Sequence, residues 1–366
     1  MKIAFLGDIA FHGKFCIESN NNLYEYFDDA RKFLSNCDYV VGNLETPFVI
    51  KAEKSGCKSA YISSLTKNVE LLKFLNVNAV NLSNNHIFDF GLEGFEDTVN
   101  TLKDNDIEWF GASSKDLLIS SQEKIAFHGY CSYNTNPIGI KSKFNPSGIT
   151  PLKIDSLYEN ARSYQSKGYL NVISVHSGIE HVTIPSLDDL NFARKLSKKI
   201  PYIYYGHHPH VMQGIETMGN SLIAYSLGNF CFDDVYDVYD DKKDKPIVTQ
   251  SEENKASIIL IVDVVDGKIV DYKSVGIYQS DTKLVVNSLE SEKKCAIYSK
   301  YLNLKNDDFS RERKKQILAI NSSRNSDRDI AWLINRFNFD TITRVLERFY
   351  NRYNYKKHFS SKIDFL

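Results

Sequence analysis

The chain has no cysteine pair at redox or zinc-ligand spacing. Its six cysteines, at 16, 37, 57, 131, 231 and 295, are scattered, with no CxxC and no dense framework. That usage argues against a disulfide scaffold and suits free thiols in a reducing compartment, so a cytoplasmic location is expected. A long apolar run is lacking near the start as well. Residues 1–13, MKIAFLGDIAFHG, carry one lysine and an apolar stretch broken by Gly7 and Asp8, which fits neither a secretory signal nor a transmembrane segment. Net charge is close to absent, −1 over 366 residues, and no stacking motif accompanies the basic residues, so nucleic acid is not an expected partner.

What is present is a core. With 42% hydrophobic residues, the chain can build one large domain and an appendage, or two domains. Strand-like runs (KIAFLG, DYVVGN, NAVNLS, IEWFGA, EKIAFHGY, YLNVISVH, PYIYYG, LIAYSLGN) alternate with helix-like stretches near 25–35, 65–75, 91–104, 155–166 and 187–199, which predicts an α/β fold. SIILIVDVVDG and KIVDYKSVGIY read as a hairpin turning at Asp266 and Gly267. Residues 233–255, charged and poor in aliphatics, are expected to be an excursion loop.

After about residue 284 the strand pattern stops. From Leu284 onward there are 17 Lys+Arg against 10 Asp+Glu, which leaves the first 283 residues at −8. A domain over 1–283 followed by a basic, mainly helical extension over 284–366 is therefore expected. Within the extension, Ile342, Val345, Leu346, Phe349 and Tyr353 recur at helical spacing, with Arg344, Arg348 and Arg352 on another face. Such a basic stripe is most often a solvated face; the other reading is a surface for an anionic polymer, a phosphorylated lipid surface or an acidic partner.

Five strand-like runs end in the same kind of chemistry: Asp8, Glu45, Asn85 with His86, His176, and the triplet His207, His208 and His210. In open α/β sheets, ligands bind beyond the carboxyl ends of the strands, so these side chains can converge on one edge. Carboxylates, an amide and imidazoles without thiolates are the ligand set of a two-metal site for Mn, Fe or Zn, with Mn favoured. Each residue taken singly has a plainer reading: Asp8 as a helix N-cap, Asn84 and Asn85 as turn residues, His176 as a core histidine, and Asp89 as the cap of the helix that follows it.

GDI (7–9), GNLETP (42–47), NLSNNHIFDFG (81–91), HSGIE (176–180), GHHPHVMQGIE (206–216) and YSLGNFCFD (225–233) occur in order, and together they resemble the CapA family of capsule and poly-γ-glutamate biosynthesis. That family is similar to the calcineurin-like metallophosphatases. The resemblance implies a two-sheet β-sandwich flanked by helices, a four-layer αββα arrangement, holding two divalent metal ions. By the same resemblance Asp8 and His210 hold one metal, Asn85, His176 and His208 the other, and Glu45 bridges them. His86 donates a proton or hydrogen bond to the substrate, and a metal-activated water is the nucleophile.

Two positions depart from the wider superfamily. Ala10 stands where a ligand histidine is usual, the nearest alternative being His12, and Glu45 stands where the bridge is usually aspartate. His12, His207 and Glu180 are further candidates at the site, with His207 expected to point toward a supporting carboxylate or the sheet interior. The implied function is a metal-dependent hydrolase, a phosphoesterase, acting on a phosphorylated or polyanionic small molecule or polymer in capsule or surface-polymer biosynthesis. An assembly protein of a polymer-synthesising complex, with partners in that complex, and an amide-bond hydrolase using the same site are the alternatives.

Overall fold

Strand β1 (Lys2–Ile9) shows why the chain folds in layers. Ile3 and Phe5 enter one hydrophobic cluster while Ala4, Leu6 and Ile9 enter another, so both faces of the strand are buried and its sequence reads as a nearly continuous apolar run. In the computed structural model, residues 1–58, 60–119, 122–143, 145–236, 246–325 and 339–366 are described. β1 pairs in parallel with β2 (Tyr39–Leu44), which continues through β3 (Ala79–Asn81) to β4 (Glu108–Phe110).

A second sheet runs β5 (Leu117–Ile119), β6 (Ile125–Cys131), β7 (Leu170–His176), β8 (Tyr202–His207), β10 (Ser221–Ala224) and β9 (Ile215–Met218), with β6, β7, β8 and β10 parallel. β11 (Asn229–Cys231) returns to pair with β1. The short ribbon of β12 (Val235–Tyr236) and β13 (Pro246–Val248) follows, and then β14 (Ala256–Val265), β15 (Lys268–Gln279) and β16 (Leu284–Val286) complete the first sheet beyond β1. The β14–β15 hairpin turns at Asp266 and Gly267 as expected, with φ of 51° and 68°, the positive values such a tight turn requires.

Phe5, Val41, Phe127, Val172, Ile203, Tyr205 and Leu260 fill the space between the sheets. Helices α1 (Leu23–Tyr26), α2 (Asp28–Leu34), α3 (Val69–Phe74) and α4 (Gly91–Lys103) contribute to the cluster on the outer face of the first sheet. α5 (Ile154–Gln165) and α6 (Leu187–Ser197) cover the second, packing Leu157, Phe192 and Leu196 against Ile173, Tyr202 and Tyr204. The result is the αββα sandwich that the sequence implied. Because the parallel strands of both sheets run the same way into the centre, the carboxyl ends of β1, β2, β3, β7 and β8 meet at one edge.

The region 233–255, expected as an excursion loop, carries regular structure in parts. Its described part forms the β12–β13 ribbon and a one-turn helix, α7 (Glu252–Lys255), whose Ser251 cap and Asn254 make a reciprocal capping box; residues 237–245 lie outside the described residues. Past Val286 the described chain is helical: α8 (Leu289–Tyr301), α9 (Asn306–Asn325), α10 (Phe339–His358) and a terminal 3-10 turn. These helices are sewn to the sandwich. Gln316 Oε1 accepts from the Thr183 amide at 3.0 Å, and Phe359 packs edge-on to Phe192. Among the described residues no helix is long and apolar enough to cross a membrane.

Candidate metal centre

Asp8 sits at the end of β1, fully buried, and its carboxylate is held from three sides. Asn43 Nδ2 donates to Oδ1 at 2.9 Å, the His207 ring nitrogen Nδ1 donates to the same oxygen at 3.0 Å, and the His208 amide donates to Oδ2 at 3.3 Å. Asn43 is itself fixed by Asn81 Nδ2 at 3.0 Å, so an asparagine ladder across β1, β2 and β3 aims the carboxylate. Burial alone would raise the Asp8 pKa; the His207 hydrogen bond, the His207 and His210 rings and Asn43 outweigh it and hold the group below its usual range. Asp8 is not a helix cap.

Glu45, two residues beyond Asn43, has the opposite environment. It is fully buried and neither Oε1 nor Oε2 has a hydrogen-bond partner. Burial, then the carboxylates of Asp8 and Glu180, push its pKa well above the ordinary glutamate value. Buried carboxylates are normally hydrogen-bonded or paired, so this glutamate stands out, with both oxygens open to a cation.

Around it stand the imidazoles. His176 Nε2 lies 3.6 Å and His210 Nε2 3.8 Å from Glu45 Oε1. His210 Nδ1 donates to Asn229 Oδ1 at 3.0 Å and lies 3.5 Å from Asp8 Oδ2, which leaves Nε2 as its lone-pair nitrogen. His176 Nε2 reaches Asn85 Oδ1 at 2.8 Å. Ligand atoms of Glu45, His208 and His210 all lie within 4.8 Å of one another. His176 Nδ1 and His208 Nδ1 are buried without hydrogen-bond partners. Burial drives the His208 pKa down to about 3 and that of His176 well below 6.5, so both rings are neutral at physiological pH, the form that binds metal.

Asp8, His176, His208 and His210 are thus gathered about Glu45, with His176 and His210 both facing its Oε1 and Asn85 reached through His176. These oxygen and imidazole donors suit a hard-to-borderline divalent ion. The backbone is shaped for the arrangement: His208 and His210, flanking Pro209, have φ of 95° and 57°, an unfavourable region for residues with a Cβ. Such strain, of order 1–3 kcal/mol per residue, persists where the surroundings over-determine it, typically at functional sites.

The remaining expected residues divide clearly. His207 turns to Asp8, the carboxylate that the sequence left unnamed, with its ring edge-on to Tyr205. His12 Nε2 is buried without a hydrogen-bond partner, the ring edge-on to Phe232; burial lowers its pKa to about 4 against the opposing pull of Asp233. Glu180 is near enough to act electrostatically on both Glu45 and His208. Ala10 is buried beside Phe232 and Val235. Asn84 is the turn residue, its Oδ1 accepting from the amides of His86 and Ile87 and its Nδ2 donating to Leu44 O, which frees Asn85 to face His176.

Asp89 corrects the expectation of a helix cap. The N-cap position of α4 is Phe90, without a side-chain cap, whereas Asp89 Oδ2 bonds the His86 Nδ1–H at 2.7 Å and accepts from the Ile62 amide. Lys58, which sequence reasoning missed, donates from Nζ to Asp89 Oδ1 and to Asn85 O at 2.8 Å, and lies 3.1 Å from His86 Nδ1. Burial and then Lys58 lower the His86 pKa, opposed by Asp89. Asn229 and Asn254 were also missed; Asn254 Nδ2 donates to His210 O at 2.9 Å. The GNFCFD motif contained the signal for Asn229, while Lys58 had none.

Residues 2–234 match the family described as bacterial capsule synthesis protein PGA_cap. Among curated proteins, the chain is 27% identical over 244 residues to PGA biosynthesis protein CapA of Bacillus subtilis, covering 64% of this chain and 63% of that one. It is 28% identical over 219 residues to capsule biosynthesis protein CapA of Bacillus anthracis, covering 57% and 53%. A probable polyglutamine synthesis accessory protein of Mycobacterium tuberculosis is 24% identical over 220 residues, covering 56% of each. The chain thus spans between 53% and 63% of the length of these relatives.

Proposed function

Because the chain belongs to the bacterial capsule synthesis protein PGA_cap family, we propose that it is a dinuclear-metal-dependent hydrolase, a phosphoesterase, serving capsule or surface-polymer biosynthesis. The observation that carries the reading is Glu45, a buried carboxylate with two unbonded oxygens faced by the imidazoles of His176 and His210. Asp8 and His210 would hold one ion and Asn85, His176 and His208 the other, with Glu45 shared between them and manganese as the favoured metal. When bound, such ions supply Lewis acidity toward a phosphoryl or carbonyl oxygen and neutralise its charge.

The chain's own residues do the rest. Asn43, Asn81 and His207 hold Asp8 in place, and Asn229 orients His210. Asp89 keeps the proton of His86 on Nδ1, so Nε2 is the atom that exchanges a proton with substrate. Lys58 anchors Asp89, and burial followed by Lys58 lowers the His86 pKa, so the imidazolium, once formed, is a stronger acid than a free one. The six free cysteines suit a cytoplasmic, reducing setting for this work.

Two other readings have their own support. The name of the Mycobacterium relative, a probable synthesis accessory protein, favours an accessory role in polymer assembly, and the PGA biosynthesis name of the Bacillus subtilis relative makes a γ-glutamyl amide the other bond to test. Ala10, in place of a usual ligand, favours the accessory role. Manganese-loaded protein assayed on phosphomonoesters, phosphodiesters and γ-glutamyl amides separates them. Phosphoester turnover is expected. Turnover confined to the amides would replace the phosphoesterase reading, and none on any substrate would favour the accessory role.

A further inference from the structure

Helix α10 is amphipathic in the unusual direction. Its inward side carries Asn351 and Asn354, both buried, while Phe339, Ile342, Val345, Leu346, Phe349, Tyr350 and Tyr353 lie on the outside with exposures from 44% (Val345) to 81% (Phe339). At 3.6 residues per turn these side chains span about 140° of the helix circumference, one continuous stripe. Arg348 and Arg352 run along one border, and Lys356 and Lys357 lie within the stripe, Lys357 with its Nζ over the Tyr353 ring.

We propose that this face docks the protein on an anionic lipid surface. An aromatic and aliphatic stripe edged with arginine and lysine is the composition of helices that lie in the interfacial plane of a bilayer. The charge selects the occupant. A second copy would set one basic border against another, and a soluble polyanion would engage the arginines but leave the apolar stripe in water. α10 also borders the candidate metal centre: Cys57 Sγ donates to Asp340 Oδ1 at 3.7 Å, one residue from the Lys58 that reaches His86, and His358 stacks on Tyr133 at the end of β6. Docking would bring that rim to the membrane surface.

Sedimentation of the full chain with phosphatidylcholine vesicles, with and without about 30% phosphatidylglycerol, tests this. Binding to the anionic vesicles is expected, weakening with salt, and falling at least about tenfold in Leu346→Ser/Phe349→Ser and in Arg348→Glu/Arg352→Glu. Hydrogen exchange on the unaltered protein is the second readout, with vesicle-dependent protection expected within residues 339–358. Several results would overturn the proposal: no vesicle binding; variants that bind like wild type; no protection of the helix; or a solution dimer dissolved by Phe349→Ser. Polyglutamate binding that survives Leu346→Ser/Phe349→Ser while vesicles are ignored would assign the face to a soluble polymer instead.

Discussion

Glu45→Gln is expected to abolish manganese-dependent stabilisation while making the metal-free protein more stable than wild type. The expectation follows from the two unbonded oxygens and the raised pKa of a buried carboxylate near Asp8 and Glu180. In wild type, a metal at 100 times its dissociation constant adds about 2.7 kcal/mol to the folded state, and the variant forfeits that gain. Without metal the sign reverses. A folded-state pKa above the unfolded value of 4.5 means that stability is lost as pH rises from about 4.5 toward the raised value. The advantage of Glu45→Gln over metal-free wild type should therefore be small near pH 4.5 and grow toward neutrality, where each kcal/mol is worth roughly 1–2 °C in Tm for a chain of this length. Thermal melts with EDTA and with manganese at several pH values check both signs; a metal-free variant less stable than wild type at pH 7 would show that Glu45 has unseen partners.

His86→Ala carries the largest expected effect on turnover. His86 is buried next to the cluster and its Nδ1 is bonded to Asp89, so the substitution removes a proton carrier while leaving Asp8, Glu45, Asn85, His176, His208 and His210 in place. Loss of a general acid typically costs 10²–10⁴-fold, and kcat on the best phosphoester should fall by about that factor with metal content unchanged. Asp89→Asn should lower kcat less, because it disturbs the tautomer rather than removing the ring. Equal kcat in wild type and His86→Ala would end the assignment.

These residues were legible to different degrees, and the differences have physical causes. Asp8, Glu45, Asn85, His176, His208 and His210 were visible because a parallel strand buried on both faces is an apolar run, and polar residues stand out where it ends. Asp89 misled because an aspartate shortly before a glycine-led helix looks the same whether it caps that helix or turns inward to His86. Lys58 lies in a loop with no period to mark it, and only the tertiary fold brings Nζ to Asp89. The triplet could be split by the spacing across Pro209, but the bond from His207 to Asp8 joins residues 199 positions apart. For α10, periodicity revealed two faces and not which one is buried; Asn351 and Asn354 turned inward is a property of the packing.

The central claim is that two ions share Glu45. Elemental analysis of the full chain after manganese loading and dialysis, paired with anomalous scattering from its crystals, tests it most directly. The account predicts about two ions per chain, both against Glu45, one held with Asp8 and His210 and one with Asn85 and His176. Protein that remains metal-free after loading, or that holds its ions away from Glu45, would contradict it.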